Sequence, residues 1–252
     1  MSERPLDLVS GGRFVVPSAD LAARIARGRV PRMTIELYRF AYSCYARKVQ
    51  AALELARVPF TIVDVPYLDR DVMTKVAPGY PMVPVLRHGS DVITGSREIL
   101  EALVQREPAI AALVPEGREA VVWAYHDFAD STLETPMFQA ATPGIRARFA
   151  THNERLFFTF IKERRWGAGC VERWARERDE LLESARTMLA PTRASLRRHA
   201  FVAGDAPTLA DASLYGHVAM LAYADRALVA ALGEEIVAFT ARMQALGVAP
   251  PA

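Results

Sequence analysis

The chain has 252 residues, of which 51% are hydrophobic and 24% charged, with 31 basic and 29 acidic side chains and a net charge of +2. That is ample apolar material for a buried core, and room for one large domain or two ordinary ones. The charges are too evenly balanced to point to a nucleic-acid partner, and no apolar run reaches the ~18–20 residues of a membrane span. In chain order, residues 1–32 read as an extension. They hold basic and turn-forming residues and one helix candidate, Ala19–Arg27, capped by Ser18 and ended by Gly28. No apolar segment with a small-residue cleavage site occurs there, so no secretory signal is expected.

From Met33 the pattern sharpens. Met33–Phe40 predicts a strand, Arg47–Arg57 a helix with Val49, Ala52, Leu53 and Ala56 on one face, and Phe60–Val65 a second strand. A short helix is expected over 69–76. Val83–Leu86 and Asp91–Thr94 read as two strands joined by the turn His88-Gly89-Ser90. Ser96 then caps a helix that lasts until Pro108. A helical crossover between the first two strands demands that they run parallel, whereas the later hairpin is antiparallel. A mixed four-stranded sheet with helices on its faces follows, an α/β layer. Beyond a linker at 108–116 the strand signals stop. Helices are expected over 117–141, 144–166, 170–190, 191–200, 208–224 and 233–246, which makes 117–252 an all-helical domain.

Four short motifs carry the chemistry. The first is Ser43-Cys44-Tyr45-Ala46, where the strand hands over to the helix. Unpaired N–H groups and the helix dipole make that end hospitable to an anion, and a thiol placed there is acidified. A serine hydroxyl can hold a ligand thiolate by a hydrogen bond. Cys44 offers a mixed disulfide instead. The plainer alternatives are a capping serine and a small buried cysteine. The second motif is Met82-Val83-Pro84-Val85-Leu86. A proline at a strand mouth, often cis in this topology, leaves the Val83 backbone free to pair with an extended ligand. The third is Thr94-Gly95-Ser96-Arg97-Glu98, a helix start suited to a carboxylate. The fourth is GDAPTLAD at 204–211, in which Thr208 and Asp211 have capping-box spacing. The five histidines show no metal spacing, no phosphate or dinucleotide glycine fingerprint occurs, and the two cysteines are too few for a disulfide framework. A reducing, cytoplasmic setting is therefore expected.

Together these motifs resemble the cytosolic glutathione S-transferase superfamily, over about residues 33–246. The resemblance implies a thioredoxin-like α/β domain over 33–107 followed by the all-α helical bundle. It implies glutathione as co-substrate, no metal, a small hydrophobic electrophile and a homodimer, with neither nucleic acid nor membrane as partner. Aligning Arg47-Lys48-Val49 with the family's R-K-V puts Ser43 at the position of the catalytic serine of theta- and delta-like members, where omega-like members carry cysteine. Cys44 falls one residue later. Val83 next to Pro84 would pair with the cysteinyl part of glutathione, and Ser96 would bind the γ-glutamyl carboxylate. The family's acid before that serine is replaced by Gly95, which leaves Glu98 as the candidate for its role. The segment from Pro78 to Val83 is one residue longer than the common pattern. Tyr125 and His126, on the first long helix of the second domain, are candidates for the electrophile pocket. The expected activity is conjugation of the glutathione thiolate to an electrophile. The rivals are a thiol transferase working through Cys44 and a non-catalytic binding protein.

Overall fold

The structure is a computed structural model and describes residues 34–250. The expected extension 1–32 and its helix lie outside them. Four strands form, β1 (Ile35–Arg39), β2 (Thr61–Asp64), β3 (Val85–His88) and β4 (Asp91–Thr94), in the order β2-β1-β3-β4. β1 and β2 run parallel, with Leu37 opposite Ile62. The pairs β1–β3 and β3–β4 are antiparallel. This is the expected mixed sheet. Three helices accompany it: α1 (Cys44–Leu55), α2 (Asp71–Val76) and α3 (Ser96–Arg106). Side chains alternate across a strand. Ile35, Leu37 and Leu86 join the core beneath α1 and α3, whereas Tyr38 and Val85 face Met73 of α2 on the other side.

After Arg106 the described residues are helical: α4 (Pro108–Ala111), α5 (Glu119–Phe128), a five-residue π turn (Ala129–Leu133), α6 (Glu134–Ala147), α7 (His152–Trp166), α8 (Cys170–Arg176), α9 (Arg178–Met188), α10 (Ala190–Leu196), α11 (Leu209–Ala224), α12 (Ala227–Ala230) and α13 (Glu234–Ala245). A thioredoxin-like α/β domain followed by a helical domain is thus the architecture. The connector is packed rather than loose. Ile110 and Leu113 are buried, and the Leu113 carbonyl accepts the Leu209 N–H at 2.9 Å.

Several boundaries differ from the sequence reading. α1 starts at Cys44, not Arg47, because Ser43 caps it. It ends before Pro59, since Arg57 takes the left-handed conformation (φ 54°) that terminates helices. The single helix expected over 117–141 is split by the π turn. Pro143, expected to break a helix, lies inside α6 and removes only one backbone rung. The break comes at Thr151, whose side chain forms a capping box with Glu154. The capping box expected at Thr208 and Asp211 forms at the start of α11, with Thr208 N–H donating to Asp211 at 2.8 Å.

α1 is the shared element. Nine of its 12 residues are buried, including Arg47, Lys48 and Gln50, so it has no broad solvent face. The sheet covers one side and α11 the other. The approach of α11 is close enough that a Cβ on Gly216 would lie 2.5 Å from the Cys44 carbonyl oxygen and 2.8 Å from the Lys48 nitrogen. Only glycine permits that separation without a shift.

Candidate functional site

The start of α1 forms part of the wall of a cavity of about 440 Å³ between the two domains. Ser43 has extended backbone (φ −71°, ψ 114°), and its Oγ accepts the Ala46 N–H at 3.3 Å. That bond uses an oxygen lone pair and leaves the hydroxyl proton free to donate. Capping and thiolate binding are therefore compatible roles for one side chain. Ser43 is largely buried but lines the cavity. Cys44 lines it as well, yet only 2% of its surface is exposed, and burial pushes its thiol well above the ordinary range, with Glu134 and Asp130 adding to the shift. The helix end that should acidify a thiol is outweighed at Cys44 by desolvation.

Across the cavity runs Met82-Val83-Pro84. The Val83–Pro84 peptide is cis. Among the described residues no hydrogen bond involves the Val83 N–H or carbonyl, so both are free for a ligand. Ser96 opens α3 and is mostly buried, with Gly95 at the cap position in positive φ (84°). A Cβ built on Gly95 would overlap the Glu98 carboxylate. Glu98 therefore puts its acid where an acidic side chain at position 95 would begin. The sequence raised this compensation but could not place it, because it depends on a side chain folding back across one helical turn.

Tyr125 and His126 do not line this cavity. The Tyr125 hydroxyl meets Thr192 Oγ1 at 3.0 Å, inside the helical domain. His126 belongs to a buried polar cluster behind α1. Lys48 Nζ, its side chain wholly buried, lies 2.8 Å from His126 Nε2 and pairs with Asp130 of the π turn. An ammonium can only donate, so His126 Nε2 accepts and its Nδ1–H faces Asp127 at 3.1 Å. Burial, with the Lys48 charge next, lowers the His126 pKa. His217 Nδ1 donates to the Ser213 carbonyl at 2.9 Å, and its Nε2 lies 3.8 Å from Asp130 Oδ1. The family resemblance made Tyr125 and His126 candidates for the electrophile pocket; the Tyr125 hydroxyl is instead turned into the helical domain, and His126 is turned toward α1.

The wall that the sequence missed comes from elsewhere. Tyr42 and Tyr67 line the cavity with stacked and edge-on contacts to Phe40. Burial pushes the Tyr67 phenol up to about 12, so it stays protonated and can donate. Arg70 covers the Phe40 ring at 4.4 Å and donates from Nε and Nη1 to the Tyr67 and Pro81 carbonyls. From the helical domain come Glu134, Phe138, Lys162, Arg165, Trp166 and Met220. Lys162, Arg165 and Trp166 all fall within the KERRW run at 162–166. Among the described residues no group of three or more His, Cys, Asp and Glu side chains could hold a metal, and no helix is long and apolar enough to cross a membrane.

Comparison with known proteins agrees with this architecture. Residues 37–111 match the family model of the glutathione S-transferase N-terminal domain, and residues 139–246 that of the C-terminal domain. No curated protein matches. Among solved structures, a glutathione S-transferase of Ceriporiopsis subvermispora in complex with glutathione is 20% identical with a TM-score of 0.70, over 86% of this chain and 99% of that one. Glutaredoxin 2 from Salmonella typhimurium, in complex with glutathione, is 15% identical with a TM-score of 0.64, over 84% and 94%. A glutathione S-transferase from Rhodospirillum rubrum is 22% identical with a TM-score of 0.63, over 83% and 87%. At these identities the likeness is one of fold. With both of its domain models matched in order on a thioredoxin-like sheet and a helical bundle, the chain belongs to the glutathione S-transferase family.

Proposed function

We propose that this chain is a glutathione transferase in which the Ser43 hydroxyl holds the glutathione thiolate for attack on a hydrophobic electrophile. The observation that carries this reading is the Ser43 hydroxyl at the start of α1, its oxygen engaged by Ala46 N–H and its proton available, in the wall of a cavity that also contains Val83. A hydrogen bond to the charged form lowers the ligand thiol's pKa and favours the thiolate at neutral pH. The free Val83 N–H and carbonyl would pair with the cysteinyl residue in the manner of an added strand. Ser96, with the N–H groups at the start of α3, would take the γ-glutamyl carboxylate. Glu98 would take the γ-glutamyl amino group in place of the acid that Gly95 lacks. Glutathione is bound by several of the similar solved structures, the Ceriporiopsis subvermispora and Salmonella typhimurium proteins among them.

Chemistry through Cys44 has less support, because its thiol is buried and held protonated. The family's dimerisation suggests a two-fold homodimer. The domain division 33–107 and 117–252, joined by 108–116, belongs to the same reading. Both cysteines are free and buried, which suits the cytoplasmic setting that we propose.

The experiment is calorimetry with glutathione and conjugation kinetics on Ser43→Ala and Cys44→Ala. Ser43→Ala should lower kcat/KM about a hundredfold or more while costing only about 1 kcal/mol of stability through the lost cap. Loss of activity confined to Cys44→Ala would sink the transferase mechanism, and no glutathione binding at millimolar ligand would sink both enzyme readings.

A further inference from the structure

Lys162 lines the cavity, and the glutathione reading leaves its chemistry unused. It projects from α7 into a cage built by the helical domain. Its ammonium lies 4.7 Å from the Phe158 ring centroid, 4.8 Å from Phe138 and 5.9 Å from Trp166. Among the described residues it makes no hydrogen bond and no ion pair. A cation resting on aromatic faces is held in place, but its three N–H donors remain unspent. Burial lowers its pKa to about 8, so it is mostly charged at neutral pH.

The charged groups around it come from several elements. Arg165, one turn along on α7, lies over the other contact of the cage, 4.5 Å from the Trp166 ring. Glu134, at the start of α6, supplies the opposing charge, and the Cys44 and Cys170 thiols complete the titratable neighbours. Both thiols are pushed up by burial and stay neutral. Glu134 is the one carboxylate facing the two cations Lys162 and Arg165. By that count this end of the cavity carries surplus positive charge, while Tyr42, Phe157, Ile161, Trp166 and Met220 give the remaining wall an apolar character. An unspent cation in such a wall selects an apolar body with one acidic group.

We propose that the second substrate is an aromatic or aliphatic acid, and that Lys162, with Arg165 beside it, receives its carboxylate or comparable oxyanion on the α7 wall. That this acid is the electrophile rests on the glutathione reading above. Glutathione's own glycyl carboxylate is the other source of the same chemistry. The second substrate is favoured because the whole cage belongs to the helical domain, away from Val83 and Ser96.

The test needs no turnover. Calorimetry with 1-naphthoate and its neutral counterpart 1-naphthamide reads the acid preference directly. At about pH 6.5 the wild-type protein should bind the naphthoate about tenfold tighter or more. Lys162→Met should remove most of that advantage and Lys162→Arg should keep it. In the wild type it should shrink as pH rises through about 8, which reads the same group without any substitution. Equal affinities, binding of neither ligand at millimolar concentration, or an advantage unchanged in Lys162→Met would overturn the proposal. So would a Lys162→Met protein that loses glutathione affinity while keeping the naphthoate preference. Glutathione titrations run in parallel separate the two readings. A naphthoate preference without glutathione binding refutes the transferase and leaves the acid site standing.

Discussion

Replacing Lys48 by methionine keeps the length of the side chain and removes its charge from the junction of α1, α5 and the π turn. The Lys48 side chain is 0% exposed and that of its partner Asp130 21% exposed. Removing one member of a buried pair costs about 3–5 kcal/mol, because the other charge is left uncompensated. Asp130 retains some contact with water, which can solvate part of the stranded carboxylate. The His126 Nε2 lone pair also loses its donor. These two effects oppose each other and put the cost near the lower bound, about 3 kcal/mol. In a chain of this size that lowers Tm by roughly 6–12 °C. The double variant Lys48→Met/Asp130→Asn carries no stranded charge and should recover to within about 1 kcal/mol of the wild type. Thermal and denaturant unfolding of the four proteins in a double-mutant cycle measures the coupling. A Lys48→Met protein that melts like the wild type, or a double variant less stable than both singles, refutes the reasoning.

Three further outcomes follow from other contacts. On the role proposed for Glu98, Glu98→Gln should weaken glutathione binding about tenfold; unchanged affinity in calorimetry would refute that role. Gly216→Ala should destabilise by about 1–3 kcal/mol through overpacking against the α1 backbone, and a neutral result in denaturant unfolding would mean that the helices part at no cost. His217 is held neutral by burial, with its pKa lowered to about 4 against an ordinary value of 6.5. The folded protein then refuses a proton that the unfolded chain accepts, so stability is full above pH 6.5 and falls as pH drops toward 4, by up to about 3 kcal/mol. Subtracting the unfolding profile of His217→Gln isolates this loss from the other titrating groups. No difference between the two profiles would mean that His217 takes its proton in place, against Asp130.

The sheet was legible because its strands are short, apolar and bounded by Pro59, Pro66 and the Gly89 turn, all local signals. The start of α11 was legible at Thr208 for the same reason, and that of α3 to within one residue, since Gly95 and not Ser96 is its cap. Ser43 and Val83 were found through motif order, and the structure brings both to one cavity. The polar cluster was not legible. Lys48, His126, Asp130 and His217 come from three separate stretches, and nothing local to any of them says that they meet. The π turn that aims Asp130 inward leaves no mark in a 3.6-residue pattern. The α7 wall was half visible. Lys162 and Trp166 lie close together in sequence, but their cage depends on Phe138, a residue on another helix.

The close contact at Gly216 also bears on how this protein could be re-engineered. Met220 lines the cavity one turn further along the same helix. It is anchored by the seating of α11 on α1, the helix that begins beside Ser43. Widening the cavity by altering α11 would therefore also disturb the start of α1 at Ser43. α7 offers the separable handle. Phe157 and Ile161 line the same space, are exposed, and take no part in the backbone contact at Gly216. The cavity can thus be reshaped from the α7 side while the Ser43 side is left in place.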